Sequence, residues 1–299
     1  MIRRRPSSSS SCNPLFERPG STSFPLLVVP CSFVFLLRSH SMFKPASLIA
    51  AALLCASPLF AHADKLADIK SKGVIRIATT IDAAPWGFTD AAGKPTGLDV
   101  ELAENVARTM GVKLELQQVT GANRIPYLLS NKVDVVIAAL GSSPERAKQV
   151  AFSKPYAAVY LGVYGGKGIP KVAKVADLAG QTIAVPKGST PDLSLSEMAP
   201  GAKLIRLEDT ASTISAFLSG QAPLFAENNF IAQKVADENP AKGIEMKSLI
   251  RISPAFMAVQ PGETALLAEM NKIVEAKTAD GSLAALRLKW FKDEQKEVK

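Results

Sequence analysis

The stretch NKVDVVIAALGSSPERAKQVAFSKPY, residues 131–156, carries the pattern that decides the fold. Its segment VDVVIAAL (133–140) is an uninterrupted apolar run, which is typical of a strand buried on both faces of a parallel sheet. Ser143 then suits a helix N-cap, Pro144 suits the first helical position, and Glu145 favours the positive end of the helix dipole. A buried strand that leads into a helix is the repeating unit of an α/β domain.

Arg146 stands in the first turn of that helix, where a cation is disfavoured. A solvated helix face could carry it at little cost. Its planar guanidinium is also suited to a carboxylate, and the helix start offers backbone N–H groups. We predict that Arg146 and these amides bind an anion together.

Strands and helices alternate along most of the chain. In the first part the pattern predicts strands at 74–82, 112–119 and 133–140, with helices at 97–111 (capped by Asp99 and stopped by Gly111) and 122–132. A second series follows, with strands at 181–189, 202–209 and 223–229, a helix at 210–220, a strand at 254–263 and helical sequence at 264–291 broken near Gly281.

This order predicts two α/β lobes, each with a parallel-type sheet flanked by helices. We expect 64–160 plus 257–299 to form lobe 1 and 161–256 to form lobe 2, joined near 158–164 and 254–259. Ligands bind at the carboxyl ends of the strands in open α/β sheets, so a cleft between the lobes is the expected site.

The N-terminal segment predicts export. MFKPASLIAAALLCASPLFAHA (42–63) has a lysine near its start, an apolar run and small residues at Ala61 and Ala63, the features of a secretory signal peptide. We expect cleavage before Asp64 and a periplasmic location. Residues 1–41 are interpreted as a leader that is either non-native, with Met42 the true start, or an extended targeting segment.

Composition excludes several chemistries for residues 64–299. These residues carry 29 Lys/Arg and 26 Asp/Glu, a net charge of +3 against +8 for the whole chain, so nothing calls for a nucleic acid or membrane partner. Both histidines and all three cysteines lie in 1–63. No Ser–His or Cys–His nucleophile, His/Cys zinc site or disulfide can be built, and we expect no metal and no cofactor.

The second lobe repeats the strand-to-helix turn of the first. In PKGSTPDLSL (186–195), Gly188, Ser189 and Thr190 lie between a predicted strand and a predicted helix, again presenting amides and hydroxyls. Either turn alone is a weak signal. Two such turns at matching points of two lobes are more specific, because both then face one cleft.

These motifs resemble the solute-binding proteins of ABC importers, in the group that takes polar amino acids and related compounds. PWGFTDAAGKPTGLDVELAENVA (85–107) is similar to the opening stretch of that family. NKVDVVIAALGSSPERAKQVAFSKPY is similar to its gkvDviia…TpeR…vdFSdPY signature, and VADLAGQTIAVPKGST (175–190) and GSLAALRLKWF (281–291) also match. The resemblance implies the two-lobed type II periplasmic-binding-protein fold, whose lobes close on the ligand.

The resemblance also implies roles for particular residues. In that family, the arginine equivalent to Arg146 and nearby backbone amides bind the ligand's α-carboxylate. The amides correspond here to the turn Gly141, Ser142 and Ser143. The loop of the second lobe, here Gly188, Ser189 and Thr190, completes this binding site. Trp86 corresponds to an aromatic residue that packs near the ligand.

One departure from the family concerns the ligand's amino group. The family's second lobe carries an aspartate that binds the α-ammonium, and this chain has Asn228 there, in SGQAPLFAENN (219–229), with Pro223 where an earlier aspartate belongs. Removing one partner of a buried ion pair typically costs about 3–5 kcal/mol. Either Glu227 takes over, or the ligand has no free α-ammonium.

The sequence leaves two interpretations open for Arg124, in GANRIP (121–126). It could reach a second acidic group on the ligand, or it could be a solvated loop arginine. Trp86 and Phe88 alternate, so we expect Trp86 to face the cleft and Phe88 the core.

The resulting interpretation is a monomeric, non-enzymatic periplasmic component of an ABC importer. It would bind an amino acid or related small carboxylate and deliver it to a permease in the inner membrane. The alternative is an enzyme on the same scaffold that resembles cyclohexadienyl or arogenate dehydratases, for which Glu227 is the one candidate acid or base. A sensor module that works with a separate partner is a third class.

Overall fold

The structure is a computed structural model that describes residues 64–293 and 295. The leader and signal-peptide predictions for residues 1–63 lie outside the described residues. Within the described part, no helix is both long enough and apolar enough to cross a membrane.

The described elements alternate as the sequence predicts. The helices are α1 Lys65–Lys72, α2 Leu98–Met110, α3 Arg124–Leu129, α4 Pro144–Ala147, α5 Thr190–Met198, α6 Thr210–Leu218, α7 Asn229–Glu238, α8 Thr264–Ala279 and α9 Ser282–Phe291. The strands are β1 Val74–Thr79, β2 Asp82–Ala83, β3 Gly87–Thr89, β4 Pro95–Thr96, β5 Lys113–Gln118, β6 Val135–Leu140, β7 Ala151–Gly165, β8 Thr182–Pro186, β9 Lys203–Leu207, β10 Leu224–Asn228 and β11 Glu245–Val259.

Eight strands form one hydrogen-bonded sheet in the order β5-β1-β6-β11-β7-β10-β8-β9. The end β5-β1-β6 is parallel, the end β10-β8-β9 is parallel, and β7 and β11 pair antiparallel between them. Each central strand has 15 residues, about 50 Å of chain, which is long enough to belong to both ends. We call the β5-β1-β6 end the first half and the β10-β8-β9 end the second half.

The first half is held by apolar strands against amphipathic helices. In β6, the apolar run of the opening stretch, five of the six residues are buried, and the outer strand β5 alternates between intermediate and exposed residues. Helix α2 buries an apolar face beginning at Leu98 and ends at Gly111, whose left-handed φ of 69° matches the predicted stop.

Two local predictions for these elements differ from the structure. Asp99 was expected to cap α2, but the cap position is Gly97, and the buried Asp99 carboxylate instead accepts hydrogen bonds from Tyr156 Oη and Ala139 N. Those distant partners cannot be read from the helix sequence. The strand predicted at 254–263 begins earlier, at Glu245, because its pairing with β7 continues through several bulges that break the alternation of side chains.

Gly97 is required by the close approach of two loops. Its backbone has φ 121° and ψ 175°, a region that is essentially restricted to glycine. A Cβ there would lie 2.4 Å from the carbonyl oxygen of Trp86. The start of α2 can therefore lie directly against the Trp86 loop.

We expect Gly97→Ala to lower the free energy of unfolding by at least about 2 kcal/mol, because strain in φ adds to a backbone clash. Urea denaturation followed by circular dichroism measures it. Gly168→Ala is the matched control, since nothing lies within 4 Å of a Cβ there and its φ is ordinary. It should change stability by less than about 0.5 kcal/mol. Equal effects of the two substitutions would contradict the close approach at Gly97.

Candidate ligand-binding site

A cavity of about 60 Å³ lies where the two halves meet. That volume holds about four to six water-sized positions. The first half contributes the ends of β1 and β6 and the following loops, and the second half contributes the turn before α5, the start of α6 and the end of β10. The lining residues used below are Thr80, Asp82, Trp86, Arg124, Ala139, Gly141, Ser189, Thr190, Thr210, Glu227 and Asn228.

Arg146 lies next to this cavity without lining it. Ser143 caps α4 as predicted, with its hydroxyl accepting from Arg146 N at 3.2 Å. The Arg146 side chain is only 4% exposed. Nη1 donates to the Gly141 carbonyl at 2.7 Å and to Thr190 Oγ1 at 3.0 Å, and Nη2 donates to the Gly188 carbonyl at 2.7 Å. One guanidinium thus joins both predicted turns, one from each half.

The turn in the second half is held by its own hydrogen bonds. Ser189 caps α5 through Asp192 N, and Gly188 N donates to Asp192 Oδ2 at 2.9 Å. Gly188 adopts a left-handed φ of 67°, and a Cβ there would lie 2.9 Å from Ala122 Cα in the first half. The glycine therefore allows the two halves to approach closely beside the cavity.

The end of β10 brings a carboxylate to the part of the cavity wall that the second half forms. The buried Glu227 accepts from Thr210 Oγ1 at 3.1 Å through Oε1 and from Asn228 N at 3.0 Å through Oε2. Both polar atoms of the Asn228 side chain have hydrogen-bond partners within the protein. Its Oδ1 accepts from Trp86 Nε1 at 3.2 Å and from the first amides of α7, and its Nδ2 donates to Glu227. Of these two neighbours, Glu227 carries the charge.

Trp86 lines the cavity and is also fully buried. Its ring packs against Phe291 at 4.7 Å and edge-on to Tyr156 at 6.3 Å between centroids. Phe88 packs edge-on against Trp290 instead. Trp86 therefore lines the cavity as predicted, but the prediction that Phe88 faces the core is wrong, because Phe88 is only half-buried and Trp86 itself belongs to the buried core.

The predicted site residues fall into two groups. The first group lines the cavity and comprises Gly141, Trp86, Ser189, Thr190, Glu227 and Asn228. The second group does not line it and comprises Arg146, Ser142, Ser143 and Gly188. Ser142 offers its carbonyl to Arg251 Nη2 at 2.8 Å, and Ser143 is used as a helix cap. The structure therefore does not place Ser142 or Ser143 among the residues that line the cavity.

Sequence reasoning missed Thr80, Asp82 and Thr210 as lining residues. Thr80 and Asp82 follow the parallel strand β1 as Arg146 follows β6, and the carboxyl ends of parallel strands meet at one edge, so this signal was present. Thr210 N donates to Asp82 Oδ2 at 2.8 Å, which links the halves. Arg124, left open above, is 5% exposed and lines the cavity, so the solvated reading is wrong.

Two buried cations near the cavity have no anionic partner. Within the described residues, no carboxylate oxygen lies within 4.0 Å of Arg146 or Arg124, although other arginines such as Arg76 and Arg206 are paired. Burial, followed by the nearby Arg124 and Arg251, lowers the pKa of Arg146 to about 9. Buried charges are normally paired, so the arrangement favours an anionic ligand.

The buried carboxylate of Asp99 positions the end of β6. The backbone carbonyls at this end accept hydrogen bonds from Arg124 and Arg146. Asp99 Oδ2 accepts from Ala139 N at 2.8 Å, and Oδ1 accepts from Tyr156 Oη at 2.8 Å. Ala139 has a φ of 47°, unusual for a residue with a side chain. The carboxylate holds this turned backbone, and Ala138 and Gly141 on either side accept from Arg124 and Arg146.

A model of the bacterial extracellular solute-binding proteins, family 3, matches residues 75–293. The chain belongs to this family. The ABC transporter glutamine-binding protein GlnH of Bacillus subtilis is 29% identical to it over 239 residues, 78% of this chain and 87% of that relative. These findings confirm the family predicted from the opening stretch.

Solved structures of this solute-binding family share the fold. The L-cysteine solute receptor of Neisseria gonorrhoeae matches with a TM-score of 0.70 and 36% identity, over 75% of this chain and 92% of that one. An ancestral amino acid-binding protein, described as a precursor of cyclohexadienyl dehydratase, matches with a TM-score of 0.69 and 29% identity, over 76% and 99%. The predicted two-lobed α/β fold is confirmed.

We expect the free energy of unfolding of the ligand-free protein to fall by a few kcal/mol between pH 5 and pH 8. Burial is the main cause that raises the pKa of Asp99 to about 7 and the pKa of Glu227 to about 7. Both carboxyls ionise near pH 4 when unfolded, so the folded state binds more protons between these values and loses stability as pH rises.

Urea denaturation at several pH values measures this slope. The double variant Asp99→Asn, Glu227→Gln should lose most of it, while Glu145→Gln, at an exposed position, should keep it. A wild-type stability that is flat or rises over this range would show that the two carboxyls titrate normally.

Proposed function

We propose that this protein is the substrate-binding component of an ABC importer and that it captures an amino acid between its halves. Relatives named as glutamine-binding and L-cysteine-binding proteins support the class of ligand. The observation that carries the proposal is the buried Arg146, which has no carboxylate oxygen within 4.0 Å among the described residues and contacts turns of both halves beside a cavity that Glu227 lines.

The ligand's α-carboxylate is assigned to Arg146. Its two Nη atoms are bonded to neutral acceptors, including Thr190 and Gly188 of the second half. Separation of the halves removes those acceptors and leaves the guanidinium for a carboxylate, with Gly141 and Ser189 at the cavity wall. Ser142, Ser143 and Gly188 then position the turns. Charge-assisted bonds contribute roughly 1.5–3 kcal/mol each, which can drive closure.

The α-ammonium is assigned to Glu227. Asn228 is occupied by Trp86 and by the start of α7, whereas Glu227 presents a carboxylate that has no cation within 4.0 Å in the described part of the chain. An ammonium group would supply that missing counter-charge. This assignment adopts the first of the two alternatives that the replacement of the family's aspartate left open.

The lobe boundaries and the cellular setting belong to the same proposal. Lobe 1 comprises 64–160 plus 257–299 and lobe 2 comprises 161–256, a division supported by the sheet order, with β7 and β11 serving as both connections. The importer's permease in the inner membrane is the partner, the protein acts as a monomer in the periplasm, and no cofactor takes part.

A dehydratase on this fold is the second candidate. A buried Glu227 with a pKa near 7 beside a cavity could act as a general acid or base, and one structural neighbour is described as a dehydratase precursor. Turnover of prephenate or arogenate that is lost in Glu227→Gln would favour this candidate, and stoichiometric binding without turnover would favour transport.

We expect Arg146→Ala to abolish ligand-induced thermal stabilisation, because the buried cation that receives the α-carboxylate is lost. A thermal-shift screen of the common L-amino acids, with and without the substitution, measures it. Arg108→Gln, at an exposed position of α2, is the matched control and should keep the wild-type shifts. Unchanged affinity in Arg146→Ala would remove this residue from the site.

We expect Glu227→Gln to weaken amino acid binding at least tenfold and to affect the matching carboxylate without an amine much less, since that substitution removes only the partner of the ammonium. Isothermal titration of an amino acid and its deaminated analogue, on both proteins, measures the difference. If wild type binds the deaminated analogue as tightly as the amino acid, Glu227 does not bind an ammonium.

A further inference from the structure

Arg124 is a second buried cation whose hydrogen bonds are incomplete. It begins α3, and its Nε donates to the Gly121 carbonyl at 3.2 Å while Nη1 donates to the Ala138 carbonyl at 2.6 Å. In the described part of the chain, Nη2 donates to no protein acceptor. Unlike Arg146, Arg124 itself lines the cavity.

Thr80 adds a second unsatisfied group to the same cavity. It lies directly after β1, is 7% exposed and lines the cavity. Its buried Oγ1 has no hydrogen-bond partner among the described residues. A buried hydroxyl left unpaired costs roughly 1–3 kcal/mol, so a ligand group that satisfies it would gain affinity.

Three carboxylates line the cavity, those of Asp82, Asp209 and Glu227, and none of them lies within 4.0 Å of an arginine nitrogen in the described part of the chain. Glu227 bonds to Thr210 and Asn228, and Asp82 bonds to Thr210 N. Burial is the main cause that raises the pKa of Asp82, and it also raises the pKa of Glu227 to about 7. Once Arg146 receives the α-carboxylate and Glu227 the α-ammonium, Arg124 still lacks a counter-charge.

We infer that Arg124 and Thr80 form a subsite for a second carboxylate, so that the ligand is an acidic amino acid. This inference rests on the proposed function, because it assigns the α-groups first. A side-chain carboxylate can accept from Nη2 and from the Thr80 hydroxyl together. An amide oxygen could accept the same hydrogen bonds but would leave the buried guanidinium without an anion, which is why the acid is favoured over its amide.

The test compares acids with their amides of nearly the same shape. Isothermal titration of the purified protein uses L-aspartate against L-asparagine and L-glutamate against L-glutamine, with L-alanine as a probe that has only the α-groups. We expect the acid of at least one pair to bind at least tenfold more tightly than its amide and than L-alanine. Amides that bind as tightly as the acids in both pairs would overturn the subsite.

Two variants test the subsite itself. Arg124→Gln should reduce the preference for acid over amide to about twofold or less. Thr80→Val, which keeps the shape and removes the hydroxyl, should weaken binding of the preferred acid several-fold and leave L-alanine unchanged, so the inference stays testable if Arg124→Gln does not fold. The exposed Arg108→Gln is the control for loss of a positive charge. An acid preference that survives both site variants contradicts the assignment.

The outcomes separate this inference from the proposed function. If none of these five amino acids binds, the subsite fails, and the proposed function fails with it only if the screen of the common L-amino acids also shows no ligand-induced stabilisation. If amino acids bind through Arg146 but show no preference for the acids, only the subsite fails, and the function proposed above stands.

Discussion

The two halves meet around one buried guanidinium, that of Arg146. Arg146 bonds to a carbonyl of its own half and to a hydroxyl and a carbonyl of the other half, without a carboxylate within 4.0 Å in the described residues. A buried cation surrounded by neutral acceptors is only partly compensated for its lost hydration. The contact helps to join the halves, together with the hydrogen bonds from Trp86 to Asn228 and from Thr210 to Asp82, yet it favours replacement of its acceptors by an anion.

The rest of the site is built to keep that guanidinium in place. Ser143 fixes the backbone at the start of α4, and Gly188 allows the opposite turn to approach without a clash. Asp99 and Tyr156 hold Ala139 in a left-handed conformation at the end of β6, which sets the carbonyls that Arg124 and Arg146 contact. Such strain is kept where a surrounding network defines the backbone, and it is common at binding sites.

The charges around the cavity form two poles. Arg124 and Arg146 lie on the side of β6, and Glu227 lies at the end of β10 in the other half. A free amino acid is a zwitterion and complements such an arrangement, since each pole takes a group of opposite sign. Because the poles belong to different halves, a ligand that contacts both stabilises the closed state more than the open one, which is the requirement for closure.

The sequence by itself determined the alternation of strands and helices, the family and the position of Arg146, because these depend on local periodicity, capping residues and a long continuous motif. Only the tertiary structure decided that Glu227 lines the cavity while the Asn228 side chain bonds to other residues, that Arg124 is buried, and that Thr80 joins the same cavity. Each of these depends on which distant groups occupy a side chain: Trp86 is 142 positions from Asn228, and Thr190 is 44 from Arg146. Local sequence does not predict these contacts, because they form only when the chain has folded into two halves that meet.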